Sequence, residues 1–254
     1  MMLVRSRDLY DNSFFEAQVA GALESARVVA PLVYDFVHPR RVVDVGCGRG
    51  AWLRAFREIG VDFIQGLDGD YVSCDTLLIP PESFVSADLA ELTKLPGNYD
   101  LALCLEVLEH LSAQSGGNIV AALTEAAPAV LFSAALPGQG GTGHVNEQWP
   151  EYWRRLFQAR GYRMLDPLRP RIREDKRVAC WYRQNLVLFG SKDWLESRPM
   201  LQPDADGTGD FDDDWVHAKL YRRVITEPGV KELLGRLPSA MRRSIARRLK
   251  RGRG

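Results

Sequence analysis

Two periodicities alternate along this chain. Over 13–37 apolar residues recur every three or four positions (Phe14, Phe15, Val19, Leu23, Val29), the stripe of an amphipathic helix, with Pro31 marking a kink or the first turn of a second helix. The run RRVVDVG then reads as a buried strand, and GAWLRAFREIG as a helix with Trp52, Leu53 and Phe56 on one face and Gly60 as its stop signal. VDFIQGLDG predicts a second strand ending at Asp68, ESFVSADL a third ending near Asp88, and YDLALCLEV a fourth that runs straight into LEHL. NIVAALTEAAP predicts a helix, AVLFSAAL a fifth strand, and WPEYWRRLFQARGY a helix opened by Pro150 and closed by Gly161. Two late strands follow, near 162–168 and 184–189.

Strands and helices alternate with no internal repeat. That order predicts an α/β fold: a doubly wound, Rossmann-like, seven-stranded sheet with helices on both faces and its ligand crevice at the carboxyl ends of the strands. After about 191 the pattern lapses into the polar stretch SRPMLQPDADGTGDFDDDW, followed by expected helices over 215–224 and from 230 onward. The predicted organisation is therefore a helical cap over 1–40, a central domain over 41–191, and a linker with a basic helical C-terminal extension over 192–254.

Composition narrows the class without naming a chemistry. In 254 residues, 46% apolar and 26% charged, there is enough apolar material for one sizeable core. Basic and acidic residues balance at 33 each, but 204–214 is acidic and the end of the chain, from Arg242 on, is purely basic. The four cysteines form no CxxC, and MMLVRSRDLYDNSFF has no apolar segment of signal-peptide length, so a cytoplasmic setting is expected. No apolar run approaches the roughly 18 to 20 residues that span a bilayer.

The chemistry begins at DVGCGRGAWL. Gly46, Gly48 and Ala51 fit the dinucleotide pattern G-x-G-x-x-G/A, with Asp68 where a ribose-binding acid belongs, so the loop alone leaves a dinucleotide and S-adenosylmethionine open. Three further features sit beside it: Asp44 two residues before the first glycine, Asp88 at the end of the third strand, and EVLEHL after the fourth. Together they resemble the class I S-adenosylmethionine-dependent methyltransferases. The resemblance covers roughly 42–189. It implies that Gly46, Gly48 and Gly50 admit the methionyl part of the cofactor and that Asp44 orients the loop and the amino group. It further implies that Asp68 takes the ribose hydroxyls, and that Asp88 and Leu89, with Leu105 at the end of the fourth strand, complete the cofactor site. The segment LFSAALPGQGGTGHVNEQWPEYW, with VACWYRQN after it, is similar to a bacterial group of methyltransferases linked to glycan or secondary-metabolite assembly.

Methyl transfer to a hydroxyl requires alignment of the acceptor and removal of its proton, by a base or through a metal. His144, on the Gly-rich GTGHVNEQW, is a candidate base or ligand, with a loop histidine bonded to the backbone as the plain alternative. Glu106, Glu109 and His110 fall at i, i+3 and i+4, so a helix places them on one face. With His144 they could hold a divalent ion such as Mg or Mn, an arrangement that resembles metal-dependent O-methyltransferases, including small-RNA 2′-O-methyltransferases. In relatives that use no metal, the same residues brace the strand end. Trp149, Tyr152, Trp153, Trp181, Tyr182, Arg183 and Gln184 suit a sugar-like or otherwise polyhydroxylated acceptor, or core packing. Trp149, on the Gly-rich approach, is the best acceptor contact among them.

The appendages add partners. DADGTGDFDDDW imitates a calcium loop in part, but Trp215 stands where the bidentate Glu belongs, and it reads as a solvated linker. LPSAMRRSIARRLKRGRG spaces Leu237, Met241, Ile245 and Leu249 four apart among arginines, a basic amphipathic helix suited to peripheral contact with an anionic inner membrane face. Nucleic acid is the weaker partner, because no second basic patch accompanies the tail. The sequence thus predicts O-methylation of a small-molecule or glycan acceptor, with an RNA 2′-O-methyltransferase and a non-catalytic cofactor-binding scaffold as the alternatives.

Overall fold

The apolar run around Val42 and Val43 forms β1 (Arg41–Val45), whose residues are buried from Val42 onward. The structure, a computed structural model, describes residues 12–198, 201, 216–218 and 220–221. β1 is flanked by two parallel neighbours, β2 (Phe63–Asp68) and β4 (Leu101–Leu105). Beyond them lie β3 (Phe84–Ser86) on one side and β5 (Ala129–Ser133) on the other. β7 (Val187–Ser191) inserts antiparallel between β5 and β6 (Tyr162–Leu165), giving the order β3-β2-β1-β4-β5-β7-β6. This is the expected seven-stranded, Rossmann-like sheet. The strand order reverses between β1 and β4, and a crevice opens at such a switch point, at the carboxyl ends of the strands.

Helices cover both faces because both faces of the central strands are apolar. On one side α1 (Asn12–Val37) and α2 (Ala51–Glu58) pack with Leu101, Leu103 and Leu131; on the other α3 (Ala113–Ala126) and α4 (Pro150–Gln158) pack with Val43, Ala102 and Val130. α2 buries the expected Trp52, Leu53 and Phe56. Arg27 of α1 ties to Glu58 of α2 at 2.8 Å, an exposed pair that contributes little beside this burial.

Three expectations are corrected. Pro31 does not divide α1, because the fully buried Ala30 and Val33 on either side of it keep the helix packed across the missing hydrogen bond. The last strand starts at Val187: Gln184 belongs instead to α6 (Cys180–Asn185), which follows the single turn α5 (Arg169–Ile172). EVLEHL is not an α-helix. Glu106 adopts φ 56° and only Leu108–His110 forms a turn of 3-10 helix.

The last described helix is α7 (Lys192–Glu196). The acidic stretch, the basic amphipathic segment and most of the helices expected after 214 lie outside the described residues. Among the described residues no helix is long and apolar enough to cross a membrane, and all four cysteines are free.

Candidate active site

The glycine loop grows directly out of β1 and is tied to β2. The N–H groups of Gly46 and Cys47 both donate to the Leu67 carbonyl, at 2.8 and 3.2 Å, and Gly50 N–H closes the turn on Cys47 at 2.9 Å. Gly46 must be glycine: its φ is +81°, and a Cβ there would lie 2.9 Å from Val107 Cγ1 and overlap Cγ2. Asp68, at the end of β2, receives the Gly48 N–H at 2.6 Å and the Gly69 N–H at 2.7 Å, so one carboxylate pins both loops. The Tyr71 hydroxyl also donates to it. Asp44 is buried at the end of β1. Burial first, and the charge of Asp68 second, push its carboxyl up to about 7.

These strand ends wall a cavity of about 850 Å³ at the switch point. Of the expected cofactor residues, Gly46, Asp68, Asp88 and Leu89 line it, joined by Glu106 and His110 from the segment after β4. Gly48 and Gly50 supply backbone to the loop, while Asp44 and Leu105 are buried and stand outside the lining. Asp88 is exposed and accepts the Ala90 N–H at 2.9 Å, which fixes its turn.

The turn after β4 separates the four proposed metal ligands. With Glu106 in the left-handed region, its carboxylate turns to Asn185 Nδ2 (3.1 Å) and Gln139 Nε2 (3.2 Å), and it does not join the others. Glu109 is fully buried; one oxygen accepts the Ala135 N–H at 3.3 Å and Oε2 has no hydrogen-bond partner among the described residues. Burial first, and the neighbouring Glu106 second, drive its carboxyl well above the usual range. Its carbonyl accepts the N–H groups of Val145 (2.8 Å) and Asn146 (3.0 Å), clamping the later loop onto this turn. That clamp sets the His144 ring edge-on to His110, with centroids 4.7 Å apart. Glu109, His110 and His144 then each offer one ligand atom, all within 4.8 Å of one another.

His144 is held from behind. Its Nδ1 donates to Glu147 Oε1 at 2.9 Å, and the same carboxylate collects the N–H groups of Gly138 (2.7 Å) and Gly140 (2.9 Å). Burial acts to raise the Glu147 carboxyl, but these hydrogen bonds outweigh it and hold the group below its ordinary value. The imidazole folds back over Gly141, where a Cβ would collide with the ring. For His110, desolvation first and the adjacent imidazole second lower the ring's proton affinity.

The aromatic cluster divides. Trp153 is only 3% exposed and packs on Phe132, and Tyr182 is buried with its hydroxyl oxygen accepting the Trp52 Nε1–H at 3.3 Å, so both belong to the core. Trp149, which precedes α4, keeps 49% of its surface. Sequence reasoning passed over Glu147, Gln139, Asn185 and Tyr71. Glu147 carried a signal, a carboxylate three residues past His144; Gln139 and Asn185 meet only through the fold.

A family profile described as a methyltransferase domain matches residues 17–166, more than half of the chain. A ubiquinone biosynthesis O-methyltransferase of Pseudomonas aeruginosa (strain UCBPP-PA14) is 33% identical over 79 residues, covering 28% of this chain and 34% of that protein. The chain thus matches about a third of the length of that curated relative. Among solved structures, magnesium protoporphyrin IX methyltransferase from Synechocystis PCC 6803 with bound SAM is similar at TM-score 0.50 and 20% identity, over 72% of this chain and 86% of that one. An amino pentose methyltransferase from Micromonospora echinaspora, involved in calicheamicin biosynthesis, is similar at TM-score 0.52 and 16% identity, over 73% and 99%. At these identities the two structures speak for the fold.

Proposed function

The chain belongs to the methyltransferase domain family, the class I S-adenosylmethionine-dependent enzymes that its glycine loop resembles, and we propose that it methylates a hydroxyl of a sugar-like or polyhydroxylated small molecule. The observation that carries the hydroxyl is the His144–Glu147 pair, whose imidazole stands edge-on to the cavity-lining His110. With Nδ1–H committed to a carboxylate, Nε2 is the nitrogen left to accept a proton, as a general base requires.

The residues at the switch point fit the cofactor. Gly46 brings bare backbone to the cavity wall beside Asp68, whose carboxylate can accept two vicinal hydroxyl protons. In this reading the Gly46–Gly50 backbone would meet the methionyl part, Asp44, buried behind the loop, would orient the loop and the amino group, Asp68 would hold the ribose, and Asp88 with Leu89 would meet the adenine. When bound, S-adenosylmethionine would supply an electrophilic methyl on a sulfonium and a neutral thioether as its leaving group. His144 Nε2 takes the hydroxyl proton, and Glu147 stabilises the imidazolium that results. Trp149 offers an aromatic face to the acceptor. The sugar-like class rests on this exposed ring and on the polar loop; an amino pentose methyltransferase is among the proteins of similar fold, and a ubiquinone biosynthesis O-methyltransferase among those of similar sequence.

Transfer of labelled methyl from S-adenosylmethionine to a panel of glycosides, phenols and amines tests the reading. Transfer to a glycoside hydroxyl that is lost in His144→Ala supports it; transfer confined to amines, or undiminished in the variant, overturns it. The same panel should include RNA, whose binding would fall steeply with salt if it were the acceptor.

A second reading has its own observation, the convergence of Glu109, His110 and His144 with a buried Glu109 oxygen that has no hydrogen-bond partner among the described residues. These three residues would hold a divalent ion such as Mg or Mn, which would acidify the acceptor hydroxyl in place of a base. Full turnover by chelator-treated protein favours the base; loss restored by Mn²⁺ favours the ion. For the basic segment from Arg242 onward, peripheral membrane contact is the proposal, and removal of 242–254 should abolish sedimentation with anionic liposomes.

A further inference from the structure

Asp68 is already occupied. Its Oδ1 accepts the Tyr71 hydroxyl as well as the Gly69 N–H, and its Oδ2 accepts the Gly48 N–H. Tyr71 reaches back because the turn after β2 closes on itself, with Val72 N–H on the Gly69 carbonyl at 3.2 Å. Its ring lies over Gly69 so closely that a Cβ on that glycine would overlap it. Yet Tyr71 remains 72% exposed and lines the same cavity as Gly46, Asp88 and Leu89. Little apolar burial holds the ring in place; its hydroxyl is held by the Asp68 carboxylate, with the Gly69 backbone beside it.

We propose that Tyr71 is a further residue of the cofactor site: its hydroxyl stands on Asp68 where a ligand hydroxyl would bind, and it must swing out before a vicinal diol can be taken. The inference rests on the reading of Asp68 as the ribose-binding acid. Asp68 Oδ1 already holds one N–H, so an arriving hydroxyl competes with Tyr71 for the remaining acceptor capacity. Exchanging one hydroxyl for another at a carboxylate costs binding free energy equal to the bond given up, less what the freed phenol recovers from water. Tyr71 thereby loosens the hold on the cofactor and on its demethylated product alike, and favours product release. The exposed ring can rotate into solvent without disturbing the core.

Calorimetric titration of the full chain with S-adenosylmethionine and with S-adenosylhomocysteine, wild type against Tyr71→Phe, tests this. The phenylalanine variant should bind both ligands more tightly, by roughly threefold to tenfold, at an unchanged melting temperature. Tyr71→Leu, which also removes the ring, should bind at least as tightly as Tyr71→Phe. Equal or weaker binding by Tyr71→Phe, with wild type binding normally, overturns the inference and leaves the cofactor reading standing. Weaker binding would make Tyr71 a direct contact of the cofactor. Failure of every protein to bind either ligand overturns the cofactor reading, and the inference with it.

Discussion

Glu147 Oε1 accepts the Nδ1–H of His144 at 2.9 Å while its carboxylate also gathers two backbone N–H groups, from Gly138 and Gly140. The imidazole is therefore fixed in tautomer and orientation by a carboxylate that is itself fixed by the loop. A base so held works through both members of the pair. His144→Ala should lower kcat by about 10²- to 10⁴-fold. Glu147→Gln keeps a hydrogen-bond acceptor but loses the charge that stabilises the imidazolium, and should lower kcat by a smaller factor with little change in S-adenosylmethionine binding. Initial rates at saturating cofactor, beside calorimetric affinities, check both. A Glu147→Gln enzyme with wild-type kcat would leave the pair a structural brace.

Asp44 gives the site a pH signature. Its carboxyl is raised from 3.8 to about 7 by burial and by the charge of Asp68. An acid raised on folding contributes stability below its unfolded value, and that contribution is lost as the pH climbs through the folded one. For this group the loss falls between about pH 4 and pH 7 in the ligand-free protein. A cationic ligand amino group placed near Asp44 favours ionisation, so binding near pH 6 should release close to one proton. Titration of S-adenosylmethionine in buffers of different ionisation enthalpy measures this. The release should vanish in Asp44→Asn; an unchanged release would assign the proton elsewhere.

What was legible in the sequence was what local backbone geometry dictates. Gly46, Gly48 and Gly50 at alternate positions after an apolar run encode the positive-φ turn that the structure shows, and Asp68 and Asp88 follow because a strand's end carries its last residues to the crevice. EVLEHL misled because helical spacing is a statement about regular helix, and the left-handed Glu106 breaks that regularity before the first turn. Gln139 and Asn185, bonded to each other at 3.0 Å and both to Glu106, come from the loop after β5 and the end of α6, and no local pattern joins them. The Gly-rich approach already sets Trp149 apart in the sequence, but only packing shows that Trp153 belongs to the core.

That distinction can be measured. Trp153 lies against Phe132 in the core, so Trp153→Ala should destabilise the protein by about 3–5 kcal/mol. Trp149 keeps half of its surface, so Trp149→Ala should change stability by less than about 1 kcal/mol while raising the KM for the acceptor and leaving cofactor affinity alone. Denaturant titrations with steady-state kinetics separate the two. A Trp149→Ala variant with unchanged KM would remove that ring from the acceptor's path.

Gly46 and Val107 face each other across the root of the glycine loop, and two costs meet there. One belongs to the backbone: at φ +81° a side chain carries a penalty of about 1–2 kcal/mol whatever surrounds it. The other is the overlap with Val107, which depends on that neighbour. Gly46→Ala should therefore lower stability by more than the backbone penalty and weaken S-adenosylmethionine binding, because the loop must shift to make room. Val107→Ala opens the space, so the double variant should recover the overlap cost and retain the backbone one. A denaturant-based double-mutant cycle over these positions should show favourable coupling. Additive effects would mean that the loop moves as a whole to admit the Cβ, and that the close approach of Gly46 to the segment after β4 is adaptable.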